Sequence, residues 1–172
     1  MTAQTDAALP RTAVTGQAGP GNAALDYVVF DLGGVIFTRS EALPQLAERI
    51  GAPPGTSPEA FRAAYGAFRN EYDRDSDATA YWSSVARRCG APEPSLADIA
   101  ALSTLDTAGW SHADPAVVAV IQDLHRAGLR LAVLSNAPAA MATNVRSQPW
   151  GSLFDHVVMS GALGLLKPEQ AI

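Results

Sequence analysis

Apolar and polar positions along the chain change period several times, and each change marks an element. Tyr27-Val28-Val29-Phe30 is a short apolar run closed by Asp31-Leu32-Gly33-Gly34, which predicts a strand buried on both faces in a parallel sheet. Val35-Ile36-Phe37 leads away from it as a short extended segment. From about residue 39 to residue 109 the pattern turns helical. Ser57-Pro58-Glu59 gives an N-cap, a first-turn proline and a first-turn acid in the favoured order. Trp82, Val85, Ala86 and Cys89 recur at helical spacing before Gly90, and Ser95 caps a helix whose inner face is Leu96, Ile99 and Leu102. The stretch predicts three or four short amphipathic helices with no strand between them.

Beyond Trp110 helix and strand alternate. Asp114-Pro115 opens a helix with Val117, Val118, Ile121 and Leu124 on one side and Gly128 as its stop. Leu129 to Leu134 predicts a second buried strand ending at Ser135-Asn136, Ala139 to Arg146 a further helix, and Phe154 to Met159 a third strand. That order predicts an α/β fold, a doubly wound parallel sheet with an inserted helical cap. The division expected is a loose tail over 1–24, a core over 25–38 and 110–172, and a cap over 39–109.

Composition narrows the function. Of 172 residues 48% are apolar and the net charge is −5, enough for a core and unsuited to nucleic acid. No apolar run approaches the ~18 residues of a membrane span, and the first residues lack the basic start and apolar stretch of a secretory signal. A single cysteine, Cys89, excludes a disulfide framework and reads as a small core residue. The expected address is the cytoplasm. His112, His125 and His156 lack metal-ligand spacing, and Asp73, Asp75 and Asp77 alternate without the glycine and glutamate of a calcium loop, so they read as a solvated cap loop. Trp82, Trp110 and Trp150 read as packing residues, and Arg87-Arg88 as charge placed at a helix end.

In open α/β sheets ligands gather at the carboxyl ends of the strands. Those ends carry Asp31 and Ser135-Asn136, with Lys167 after the third strand. A carboxylate that can attack phosphorus, a hydroxyl that can hold its oxygens and an ammonium that offsets their charge make a phosphoryl site.

Those same residues carry a resemblance. Val29-Phe30-Asp31-Leu32-Gly33-Gly34-Val35 resembles the first motif of the haloacid dehalogenase-like hydrolases, Leu134-Ser135-Asn136-Ala137-Pro138 is similar to the second, and Phe154-Asp155 through Ser160-Gly161 to Gly164 and Lys167-Pro168 resembles the third. The long interval from 31 to 135 leaves room for a cap, and Asp73-Arg74 with Tyr81-Trp82 resembles the cap segment inserted after the first motif.

The resemblance implies a magnesium-dependent phosphatase of small phosphorylated metabolites, sugar phosphates among them. In it Asp31 is the nucleophile and a metal ligand, Gly33 lends a backbone carbonyl to Mg²⁺, Ser135, Asn136 and Gly34 hold the substrate, and Lys167 neutralises charge. The family's second aspartate, an acid–base group two positions after the nucleophile, is replaced by Gly33, a variant also met among its sugar-phosphate phosphatases. The family's fourth motif, an acidic pair on a further strand, is not found after Lys167. The chain therefore reads as a member truncated before its last strands, with an incomplete metal shell and an exposed sheet edge open to self-association. Two other readings stay open: a non-catalytic remnant or interaction module of the same fold, and a metal-free dehalogenase. Against the latter, that subfamily carries aromatic and threonine residues where this chain has Leu32-Gly33-Gly34-Val35.

Overall fold

The structure is a computed structural model that describes residues 26–38 and 40–172; the tail expected over 1–24 lies outside the described residues. Three strands, β1 (Tyr27–Phe30), β2 (Arg130–Ser135) and β3 (His156–Met159), form a parallel sheet in the order β1-β2-β3. Phe30 lies opposite Val133 and Ser135 opposite Met159, so Asp31, Ser135 and Ser160 come to the same end of the sheet. This is the α/β architecture that the alternation predicts.

The strands are not equally covered. Central β2 buries Leu131, Val133 and Ser135. β1 departs from the doubly buried strand that its apolar run predicts, because it lies at the edge of the described sheet and leaves Val29 57% exposed. The segment after it is a tight turn rather than an extended lead: Gly34 N–H donates to the Phe37 carbonyl (2.8 Å) and Phe37 N–H to Leu32 (2.9 Å). This turn drives Ile36 and Phe37 fully into the core.

Among the described residues seven α-helices accompany the sheet. Five follow β1 as one run: α1 (Leu43–Arg49), α2 (Pro58–Gly66), α3 (Arg69–Asp75), α4 (Ala78–Cys89) and α5 (Leu96–Gly109). The sequence pattern predicts three or four; α1 and α3 have seven residues each, too short for a helical period to stand out. Side chains close the starts as expected, with Ser57 accepting from Ala60 N–H and Ser95 and Asp98 forming a reciprocal capping box, and left-handed Gly90 stops α4. α6 (Pro115–Arg126) and α7 (Met141–Ser147) flank β2 in sequence. Among the described residues no helix is long and apolar enough to cross a membrane.

Two apolar clusters form. One gathers Leu46, Phe61, Tyr81, Trp82, Val85 and Leu102 from the five-helix run, and the other gathers Leu32, Phe37, Ile121, Leu131, Val133 and Phe154 around the sheet. Trp82 is wholly buried and donates from its indole to Ser103. Leu96 does not belong to the inner face of α5: it is the first residue of that helix, beyond the patch that Ile99 and Leu102 bury, and is 77% exposed.

Candidate functional site

Asp31 leaves the end of β1 and meets donors from its own turn, from the end of β2 and from the loop after β3. One carboxylate oxygen accepts from the Leu32 N–H (2.7 Å) and from the Ser135 hydroxyl (2.8 Å). The other stands 2.8 Å from Lys167 Nζ, which also donates to the Leu134 carbonyl (2.9 Å). Partial burial pushes the Asp31 carboxyl up, but the hydrogen bonds from Lys167, Ser135 and Leu32, together with the lysine's charge, outweigh it and hold the group below its ordinary value. Asp31 is thus an ionised carboxylate at pH 7, partly exposed and flanked by a cation and a hydroxyl. Such a group can act as a nucleophile toward a centre that the same cation and hydroxyl polarise.

Asn136 and Gly34, expected to hold substrate, make bonds within the chain. The Asn136 side chain accepts from Lys167 N–H (2.7 Å) and donates to the Lys167 carbonyl (3.1 Å), so it clamps the backbone that carries the ammonium. Gly34 has φ +76 and its N–H is consumed by Phe37; its role is to close the turn, where left-handed backbone favours glycine.

A cavity of about 240 Å³ opens beside this constellation, bounded by Gly33, Ser135, Asn136 and Met141 from the sheet side and by Tyr65, Arg69, Asp73, Asp106 and Trp110 from the other. Its size lies below the roughly 300–1,000 Å³ of pockets for drug-sized ligands, and suits a small molecule. The far wall is built on Arg69. Its guanidinium donates to Asp73 (2.7 Å) and Asp106 (3.0 Å), and lies 5.2–5.5 Å from the ring centres of Tyr65, Tyr72 and Tyr81. Tyr65 hydroxyl completes Asp106 at 2.6 Å.

Burial of Arg69 works against its charge, but Tyr65, Asp106 and Asp73 outweigh that and raise its value. Burial, more than Arg69 opposes, pushes Asp73 up to about 6, and burial with the adjacent Asp106 carboxylate pushes the Tyr65 phenol up. Two carboxyls share one guanidinium, so this wall is negative when Asp73 is ionised and neutral when it is protonated.

The end of α3 is fastened to the loops that follow β2 and β3. Ser160 hydroxyl donates to the Asp73 carbonyl (2.5 Å) and accepts from Ala137 N–H (2.9 Å). Ser76, the left-handed cap of α3 at φ 59, accepts from Ala139 N–H (2.9 Å) and donates to the Gly161 carbonyl (3.3 Å). Arg74 pairs with Glu169. Sequence reasoning missed this set. Asp73, placed there in a solvated loop with Asp75 and Asp77, is a helical residue only 8% exposed, while Asp77 caps α4. The available signal was the Arg69–Asp73 spacing of four, which puts both on one side of a helix.

For magnesium the donor set is incomplete. Among the described residues no three His, Cys, Asp or Glu side chains cluster as metal ligands, and the carboxylate of Asp31 is already neutralised by Lys167. An octahedral oxygen shell is not built from these donors.

A family model described as haloacid dehalogenase-like hydrolase matches residues 25–172. Among solved structures, the L-2-haloacid dehalogenase from Xanthobacter autotrophicus shares the fold at TM-score 0.62 and 20% identity, over 85% of this chain and 61% of that one. An enzyme of the same family from Bacteroides thetaiotaomicron aligns at TM-score 0.55 and 15% identity, over 86% and 74%, and a 2-haloacid dehalogenase from Pseudomonas syringae pv. tomato at 0.53 and 15%, over 83% and 66%. The chain therefore spans about three fifths of the length of the Xanthobacter enzyme. No curated protein sequence matches it significantly.

Proposed function

The chain belongs to the haloacid dehalogenase-like hydrolase family, and from that premise we propose that it hydrolyses small phosphorylated metabolites through an aspartyl-phosphate on Asp31. The observation that carries the reading is the placement of Ser135 hydroxyl and Lys167 ammonium on opposite oxygens of one carboxylate, each at 2.8 Å. A phosphoryl group approaching Asp31 meets the hydroxyl and the ammonium at once; the lysine offsets the charge on its oxygens while the Asp31 oxygen bonds to phosphorus. Asn136, by gripping both backbone polar groups of Lys167, fixes that ammonium in place. The cavity beside Asp31 admits a small substrate.

The test measures inorganic phosphate released from a panel of small phosphomonoesters by the full chain and by Asp31→Asn, with added Mg²⁺ and with EDTA. Release that Asp31→Asn abolishes is expected; no release under either condition, or release that survives the substitution, refutes the proposal.

The names of the structural neighbours favour a second reading, displacement of halide from a 2-haloacid by the same carboxylate. Such a substrate brings a carboxylate of its own, and the guanidinium lining the cavity is already held by Asp73 and Asp106. Halide release from 2-chloropropionate, with no phosphate release, would select that reading. A folded chain with neither activity would select the non-catalytic module.

A further inference from the structure

Gly33 has no side chain to protonate a leaving group, so an ester attacked by Asp31 would expel an unstabilised alkoxide. We propose that Asp73, carried across the cavity on α3, is the acid–base residue of the reaction. The inference rests on the reading of Asp31 as a phosphoryl acceptor. Asp73 lines the same cavity as Gly33 and Ser135, and Ser135 is bonded to Asp31. One Asp73 oxygen is taken by Arg69, and no described group donates to the other. Yet none of the described side-chain N or O atoms that are fully buried lacks a partner, so this second oxygen is not sealed in the protein, and its residue lines the cavity.

Its position is rigid, because the carbonyl of the same residue accepts from Ser160 and the next turn is fastened through Ser76 to Ala139 and Gly161. The groups facing it are Arg69 from its own helix, Asp106 from α5 and, through Asp106, Tyr65 from α2; the loops at Ala137 and Ser160 bring no titratable group. Two carboxylates share one guanidinium. Asp106 has both oxygens engaged, by Tyr65 and Arg69, which leaves the open oxygen of Asp73 to hold the proton. Burial pushes this carboxyl up to about 6, within reach of both protonation states near neutrality.

In the first step an Asp31 oxygen bonds to phosphorus, the bond from phosphorus to the ester oxygen breaks, and that oxygen takes its electron pair and the proton of Asp73. In the second, the Asp73 carboxylate removes a proton from water as the water oxygen bonds to phosphorus. The bond to Asp31 breaks, inorganic phosphate leaves, and both aspartates return to their starting forms.

The test compares an alkyl ester, glycerol phosphate, with p-nitrophenyl phosphate, whose leaving oxygen needs no proton. Asp73→Asn should lose roughly 10²- to 10⁴-fold on the alkyl ester. With p-nitrophenyl phosphate it should release a rapid burst of one p-nitrophenolate per chain and then stall, because the acyl phosphate is no longer hydrolysed; Asp31→Asn should give no burst. Adding Gly33→Asp should rescue Asp73→Asn, since a Cβ at Gly33 meets only the Trp110 ring, at 4.0 Å. In the unmodified chain kcat/KM for glycerol phosphate should fall above about pH 6 while that for p-nitrophenyl phosphate does not, a readout that stands even if the variant fails to fold.

A folded Asp73→Asn that turns over the alkyl ester normally, or loses both esters equally without a burst, overturns the inference and leaves Asp31 chemistry standing. So does a flat pH profile. Absence of phosphate release from either ester by the unmodified chain refutes the proposed function itself, and this inference with it.

Discussion

Replacing Arg69 by methionine tests whether the cavity wall is the buried ion cluster that the geometry describes. Methionine keeps an unbranched stem of similar reach, so what is lost is mainly the guanidinium. The Asp73 and Asp106 side chains are 12% and 5% exposed, and each would lose its cationic partner while facing another carboxylate. Removing one member of a buried pair typically costs about 3–5 kcal/mol, because the remaining charge stays buried and uncompensated. Contacts to three tyrosine rings at 5.2–5.5 Å are lost as well. In a chain of this size each kcal/mol moves the unfolding midpoint by about 2–4 °C, so Arg69→Met should melt roughly 6–20 °C lower at pH 7.5.

The loss should depend on pH in a definite direction. Asp73 titrates at about 6 in the folded chain, against about 3.9 when unfolded. Between those values the folded chain holds a proton that the unfolded chain has released, so stability from this group rises as pH falls through 6 toward 4 and is lost above 6. Without Arg69, which opposes the upward shift, that window moves higher. The gap between variant and unmodified chain should therefore be widest at pH 7.5 and narrow by pH 5, and Asp73→Asn with Asp106→Asn added should recover most of it. Urea unfolding followed by circular dichroism reads both. A loss under about 1 kcal/mol at pH 7.5, or a gap that does not change with pH, would refute the buried-cluster account.

Two further outcomes follow from the other face of the cavity. Lys167→Met removes the cation at 2.8 Å from Asp31, so the Asp31 carboxyl should titrate higher in carbon-13 NMR, and phosphate release should fall by roughly 10²- to 10³-fold. Gly161→Ala puts a Cβ 2.2 Å from Ser76 Oγ and 2.9 Å from Ala139 N. It should break the link between α3 and the loop after β2, which hydrogen exchange would report as faster exchange of the Ala139 amide.

The sheet-side half of the site was legible because its residues end or follow strands, and strand ends are marked by the change from apolar run to turn residues. Asp31 follows Phe30, Ser135 closes β2, and Lys167 comes shortly after β3. The wall opposite left almost no trace. Arg69 and Asp106 are 37 residues apart, and nothing local relates a cation on a seven-residue helix to an acid in an otherwise apolar one. Asp73 was hidden by its neighbours, since Asp75 and Asp77 are exposed and give the stretch the look of a solvated loop. Gly34 and Asn136 were assigned to substrate by motif position. Their partners within the chain, the Phe37 carbonyl and the Lys167 backbone, depend on turn geometry that residue type alone does not reveal.

The two halves meet mainly through backbone, and this decides what can vary. The links that fix α3 against the sheet loops end on the carbonyls of Asp73 and Gly161 and on the amides of Ala137 and Ala139, with Ser76 and Ser160 as the intervening hydroxyls. Arg74 and Glu169 add an ion pair whose side chains are 42% and 38% exposed, a class of contact worth little by itself. The frame therefore needs two buried or half-buried serines and the close approach at Gly161, beside the ion cluster of Arg69, Asp73, Asp106 and Tyr65. Trp110 and Met141 can change to suit a different small substrate while Asp31, Ser135, Lys167 and the carboxyl of Asp73 keep their mutual positions, whereas Tyr65 is held to the ion cluster by its bond to Asp106. Substrate choice and bond chemistry are in this way held by different atoms of the same wall.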